Sequence, residues 1–208
     1  MNINKDVLSK FDNNYFIETG SYIGDGIQTA LDAGFKNVIS IDITPQYYDI
    51  CKNRFKDNSN VTILFGDSVK VLPALLQDIN EPVTILLDAH YIDTTTNYGD
   101  KMCPVLDELD IIKTHAEKFN DIILIDDMRC WTDTNWNQVN YQFNNEDIKN
   151  KIKDFESHSE ISFIDGVIPN DVLVARFFVK EVEETPTPIA KLTPIAKPIS
   201  KVKTKRSK

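Results

Sequence analysis

Short apolar runs alternate with amphipathic stretches over the first two thirds of the chain. Tyr15 to Glu18, Asn37 to Asp42, Val61 to Leu64, Val83 to Leu87 and Asp121 to Ile125 are brief segments rich in aliphatic and β-branched residues, the pattern of strands buried on both faces. Between them apolar positions recur at helical spacing. Ile27, Ala30 and Leu31 belong to a helix that runs to about Ala33 and stops at Gly34, a residue suited to a left-handed C-terminal cap. Pro45 opens a second helix through Tyr48, Cys51 and Phe55, since proline is tolerated in a first helical turn. A third follows Gly66-Asp67-Ser68 to about Gln77, and a fourth starts near Pro104 and continues past Ile112. A short amphipathic opening (Val7, Leu8, Phe11) precedes the first strand. Strands alternating with helices of this length predict a doubly wound, Rossmann-like α/β sheet.

The rhythm then changes. After a polar helical stretch from Asn145 to Glu156, two strand candidates, Ile161 to Ile164 and Val172 to Val179, are separated only by Asp165 to Asp171. That gap is too short for a helical crossover, so these strands should pair antiparallel. Residues 1–182 are read as one domain and 183–208 as a disordered tail. The tail carries four prolines, repeats T-P-I-A-K at Thr187 and Thr193, and has no aromatic residue, a composition that cannot build a core.

Charge sharpens the division. The net charge is −9, yet Thr185 to Lys208 holds seven basic residues and no acid, which leaves 16 basic against 32 acidic residues before it. So acidic a body is not steered to nucleic-acid backbones, where affinity comes from neutralising phosphates; a weak contact through the tail is the exception. No apolar run is long enough for a membrane span. Cys51, Cys103 and Cys130 lie far apart with no C-x-x-C, so neither a zinc knuckle nor a disulfide framework is expected. A soluble chain in a reducing, intracellular compartment fits.

The candidate chemistry starts at Tyr15 to Gly26, Y-F-I-E-T-G-S-Y-I-G-D-G. A strand, a glycine-rich turn and a helix suit a nucleotide-like ligand, because the backbone can approach closely and the helix start offers free N–H groups. The spacing E-x-G-x-x-x-G-x-G is not the G-x-G-x-x-G of dinucleotide binding, which favours a nucleoside over a pyrophosphate and argues against an oxidoreductase. Carboxylates stand at the carboxyl ends of successive strands: Glu18, Asp42, Asp67, Asp88, and Asp126 with Asp127. In an open α/β sheet those ends line the ligand crevice. Asp42 lies 22 residues beyond Gly20, near the spacing expected of an acid on ribose hydroxyls.

Together, E-T-G-S-x-x-G-D-G, the acid ending the second strand, G-D-S, the acidic end of the fourth strand and the closing hairpin resemble the class I S-adenosylmethionine-dependent methyltransferases over about residues 13–180. The resemblance implies a mostly parallel seven-stranded sheet with an antiparallel C-terminal hairpin. It also implies a cofactor site of Glu18, Gly20, Ser21, Gly24, Asp42, Asp67 and Ser68, with Gly20 to Gly24 against the methionine moiety, Asp42 on the ribose and Asp67 near the adenine. D-A-H-Y at Asp88 followed by I-D-D-M at Asp126 resembles the macrocin O-methyltransferase type, although His90 stands where that type more often has an acid. That likeness implies Asp88, Asp126 and Asp127 around a magnesium ion that would activate an acceptor hydroxyl.

Asp88 and His90 are the catalytic candidates, with His90 as the proton acceptor. The alternatives are that Asp126 or Asp127 caps the next turn and that His90 is a hydrogen-bonded loop residue. The expected acceptor is a small-molecule or glycan hydroxyl. A non-catalytic cofactor-binding scaffold that displays the basic tail is the other reading. The loop from Ile92 to Cys103 is expected to face substrate, Trp131 and Trp136 to wall the pocket or anchor the core, and His115 to sit on a helix surface.

Overall fold

Each predicted run becomes an element of one sheet. β1 (Tyr15–Thr19), β2 (Asn37–Asp42), β3 (Val61–Phe65), β4 (Val83–Leu87) and β5 (Ile122–Ile125) are parallel, and β6 (His158–Ile164) and β7 (Val172–Phe178) complete the sheet antiparallel. The computed structural model describes residues 3–11, 13–132, 139 and 141–179. Residues 183–208 and Trp136 lie outside them.

The spatial order is β3-β2-β1-β4-β5-β7-β6. β1 and β4 are neighbours, so the chain winds outward from this pair in both directions, and the carboxyl ends of β1 and β4 form the switch point where α/β sheets bind ligands. The helices α1 (Lys5–Leu8), α2 (Asp25–Ala33) and α3 (Pro45–Arg54) cover one face, and α4 (Ser68–Asp78), α5 (Val105–Ala116) and α6 (Asn145–Lys153) the other.

Strand alternation feeds both layers. Phe16, Val38, Leu86, Leu124 and Val174 pack with Leu8, Ile27 and Cys51, whereas Ile17, Ile39, Ile85, Ile123 and Leu173 pack with Leu72, Leu109 and Ile148. This is why the central strands read as unbroken apolar runs. β6 extends three residues earlier than the apolar pattern indicates, to His158. As the edge strand it leaves alternate side chains in solvent, so polar residues begin it and only the pairing with β7 reveals it. β5 starts at Ile122 because Asp121 turns its side chain to other work: Oδ1 accepts from Val83 N at 3.0 Å and Oδ2 lies 2.7 Å from His115 Nδ1. His115 is buried accordingly, its Nε2 3.1 Å from the Ile79 carbonyl oxygen. The expected surface histidine is instead a tie between α5 and the sheet.

Candidate active site

The glycine turn is built around the end of β4. Gly20 has φ 87°, and a Cβ there would lie 2.5 Å from the Asp88 carbonyl oxygen, so the strand can pass only because the side chain is missing. Gly24, also left-handed at φ 88°, caps α2 where a Cβ would meet the Phe55 ring at 2.7 Å. Behind the turn, Ser21 Oγ is 2.6 Å from Ser40 Oγ, which donates to Glu18 Oε2 at 2.6 Å. Burial pushes the Glu18 carboxyl up to about 8. Asp42 binds the turn from the front, its Oδ2 accepting from Ser21 N (2.9 Å) and Tyr22 N (3.0 Å) and its Oδ1 from Thr44 N (2.7 Å).

A cavity of about 600 Å³ opens over these strand ends, a size typical of small-ligand sites. Gly20, Asp42, Asp67, Ser68, Asp88, His90, Asp126 and Asp127 line it, whereas Glu18, Ser21 and Gly24 do not and instead hold the turn from behind. Asp67 caps α4 by accepting from Val69 N at 3.1 Å. The stretch from Ile92 to Lys101 forms the outer wall. Its base is closed by Tyr91 N donating to the Met102 carbonyl (2.7 Å). Its middle is tied down by Asn97 N on Thr44 Oγ1 (3.0 Å) and by the Tyr47 Oη to Thr95 Oγ1 bond (3.2 Å).

At the acidic rim the carboxylates are joined into a chain of charges. Asp88 Oδ1 stands 3.6 Å from His90 Nδ1, and His90 Nε2 stands 3.2 Å from Asp127 Oδ2, at ion-pair distance but outside straight hydrogen-bond geometry. Asp127 Oδ1 pairs with Arg129 Nη1 at 2.5 Å, and the same guanidinium pairs with Asp171 at the start of β7. Asp126 Oδ1 accepts from Asp127 N at 2.9 Å. Burial, then the neighbouring Asp126, raises Asp88 to about 7. Burial alone would lower His90, but the facing Asp127 and the further contacts with Cys130 and Asp88 outweigh it and hold the imidazole at about 10. Asp127 is held below its ordinary value, because His90 and Arg129 outweigh burial.

Asp88, Asp126 and Asp127, the magnesium set that the resemblance implies, are not brought together as one ligand group. Ligand atoms within 4.8 Å of one another occur, among the described residues, in His90–Asp127–Cys130 and in Asp126–Asp127–Asp171, and Asp88 belongs to neither group. Both oxygens of Asp127 already face a cation. Arg129, which sequence reasoning missed, is the reason; its signal was its place two residues after the Asp-Asp pair, where buried carboxylates require a partner. Trp131 is buried in the core and does not line the cavity; its ring lies 5.9 Å from His90 and packs on Phe143. Tyr22 and Tyr47, edge to face at 4.8 Å, are further cavity residues the sequence reading passed over.

No family model and no curated protein matches the chain. Solved structures do. An O-methyltransferase from Bacillus cereus in complex with SAH aligns with a TM-score of 0.52 at 13% identity, over 85% of this chain and 78% of that one. A SAM-dependent methyltransferase from Aquifex aeolicus gives 0.50 at 13%, over 83% and 87%. The methyltransferase domain of bacterial CtHen1 gives 0.52 at 11%, over 84% and 94%. The described residues contain no helix long and apolar enough to cross a membrane. At these identities the likeness is one of architecture, and the chain has the Rossmann-like fold found in S-adenosylmethionine-dependent methyltransferases.

Proposed function

We propose that the chain is an S-adenosylmethionine-dependent methyltransferase acting on a hydroxyl of a small molecule or glycan. The observation that carries this reading is a single cavity lined both by the glycine turn with Asp42 and Asp67 and by the acidic rim with Asp88 and Asp126. Gly20 lets backbone approach the methionine moiety, Asp42 faces the ribose with the lone pairs its backbone donors leave, and Asp67 with Ser68 stands at the adenine. The cofactor, when bound, supplies a methyl group on a sulfonium, an electrophile attacked in line by the acceptor oxygen.

The chain's own task is to receive the hydroxyl proton and to exclude water. His90, held at about 10, is already protonated at neutral pH and cannot be the acceptor. Asp88, held near 7 and lining the cavity, is suited to that role, since a general base works best with a pKa near the operating pH. No step runs through magnesium, because Asp127, the acid shared by both clusters of possible ligand atoms, is engaged with Arg129 and His90.

The test is calorimetry with S-adenosylmethionine and S-adenosylhomocysteine, followed by a labelled-methyl screen of hydroxylated acceptors. Saturable binding of both compounds and transfer to a hydroxyl are expected. Absence of binding at millimolar ligand would sink the reading. Binding without transfer would move it to a cofactor-binding scaffold.

A further inference from the structure

We infer that Arg129 is the resident cation of the acidic rim: its guanidinium holds the place between Asp127 and Asp171 that a divalent ion would otherwise take, and thereby positions Asp127 against His90. As a statement about catalysis this rests on the methyltransferase reading, whereas the cation site itself stands independently.

The geometry is specific. Asp127 sits in the left-handed region at φ 61°, ψ 38° and leads into a 3₁₀ turn, Met128–Trp131. That turn aims the Arg129 side chain back across the ends of β5 and β7. Asp171 meets it twice: one carboxylate oxygen pairs with the guanidinium, and the other accepts from Arg129 backbone N at 3.1 Å. The Asp171 carbonyl also accepts from Met128 N at 2.8 Å. Both ends of the arginine are therefore fastened to one fully buried acid, which fixes the guanidinium against Asp127.

Charge argues the same way. Asp126, Asp127 and Asp171 present ligand atoms within 4.8 Å of one another, and three buried carboxylates so close cannot all ionise without a cation among them. Magnesium would require oxygen ligands at about 2.0–2.1 Å in octahedral array. Two of the three acids are already bound by a planar donor that matches carboxylate geometry. To enter, the ion would have to expel the guanidinium from its pairs with both Asp127 and Asp171. A permanently charged side chain thus does the charge balancing that metal does elsewhere, and Asp88 and Asp126 are left to face the cavity.

The experiment is a titration of the full chain with Mn²⁺, followed by electron paramagnetic resonance, for wild type, Arg129→Ala and Arg129→Lys. Wild type and Arg129→Lys should show no saturable binding up to millimolar Mn²⁺. Arg129→Ala should gain a site at least about tenfold tighter than any in wild type, and Mn²⁺ should raise its depressed melting temperature. Saturable wild-type binding that Asp127→Asn removes would overturn the inference, and this arm needs no folded Arg129→Ala protein. A folded Arg129→Ala protein that takes up no Mn²⁺ would overturn it too. Homocysteine-cofactor product binding measured in parallel reads the methyltransferase proposal separately: its loss in wild type would refute that proposal and leave the cation result intact.

Discussion

At the scale of the residue, the two most informative acids do different work. The spacing of Asp42 suggests a ribose ligand, and the structure gives its carboxylate three backbone donors. Removing it orphans N–H groups in a buried turn, each worth about 1–3 kcal/mol. Asp42→Ala should therefore lower stability by about 3 kcal/mol and weaken S-adenosylhomocysteine binding together, read by denaturant melts and calorimetry. A variant that unfolds at the wild-type midpoint would show that the turn holds itself. Asp88 predicts the opposite split. Asp88→Asn should leave product binding unchanged while methyl transfer falls by about 10²-fold or more, the usual worth of a positioned base. In wild type the rate should rise with pH through about 7, as the carboxyl that burial has raised becomes ionised; a flat profile over that range would remove Asp88 from the role.

At the scale of the element, burial decides which polar contacts matter. The Asn144 capping box starts α6 at the surface, with Asn144 Oδ1 accepting from Glu146 N at 2.8 Å. The Asp121 clasp lies in the core and ties three elements: β4 through Val83, α5 through His115 and β7 through the Phe177 N–H on its carbonyl. An exposed cap is worth about 1 kcal/mol, whereas a buried charged partner removed alone costs about 3–5 kcal/mol. Asn144→Ala should thus cost about 1 kcal/mol and Asp121→Ala at least about 3 kcal/mol in urea denaturation. Equal losses would mean that the clasp adds nothing beyond one ordinary hydrogen bond.

At the scale of the molecule, several acids share one electrostatic consequence. Glu18 is raised to about 8, and Asp88 and Glu108 to about 7, chiefly by burial. Between the ordinary carboxylate range and these values the folded chain keeps protons that the unfolded chain has lost. The contribution of each group is fully present below its unfolded pKa and is lost as pH rises through its folded pKa. Stability should accordingly fall from about pH 5 to about pH 8, with a slope of up to about 1.4 kcal/mol per pH unit for each group. Glu18→Gln, which keeps an acceptor for Ser40, should flatten that slope. A slope unchanged by the substitution would mean that Glu18 is ionised in the fold.

What the sequence determined by itself was the order of elements and the side of the sheet on which chemistry gathers. Strand positions follow from local apolar runs, β2 and β4 to the residue, and the antiparallel ending follows from a gap too short for a crossover; both are properties of neighbouring residues. The acids at strand ends were legible for the same reason, because strand direction alone places them on one rim. Only the tertiary structure decided what those acids do there. Glu18, Ser21 and Gly24 support the turn from behind because β2 and α3 pack against it. Of the supposed magnesium ligands, Asp127 is paired with Arg129 and His90, and Asp171, 44 residues after it in the chain and just before β7, fastens that arginine in place. Pairings of that kind depend on sheet order and burial, which no local pattern encodes.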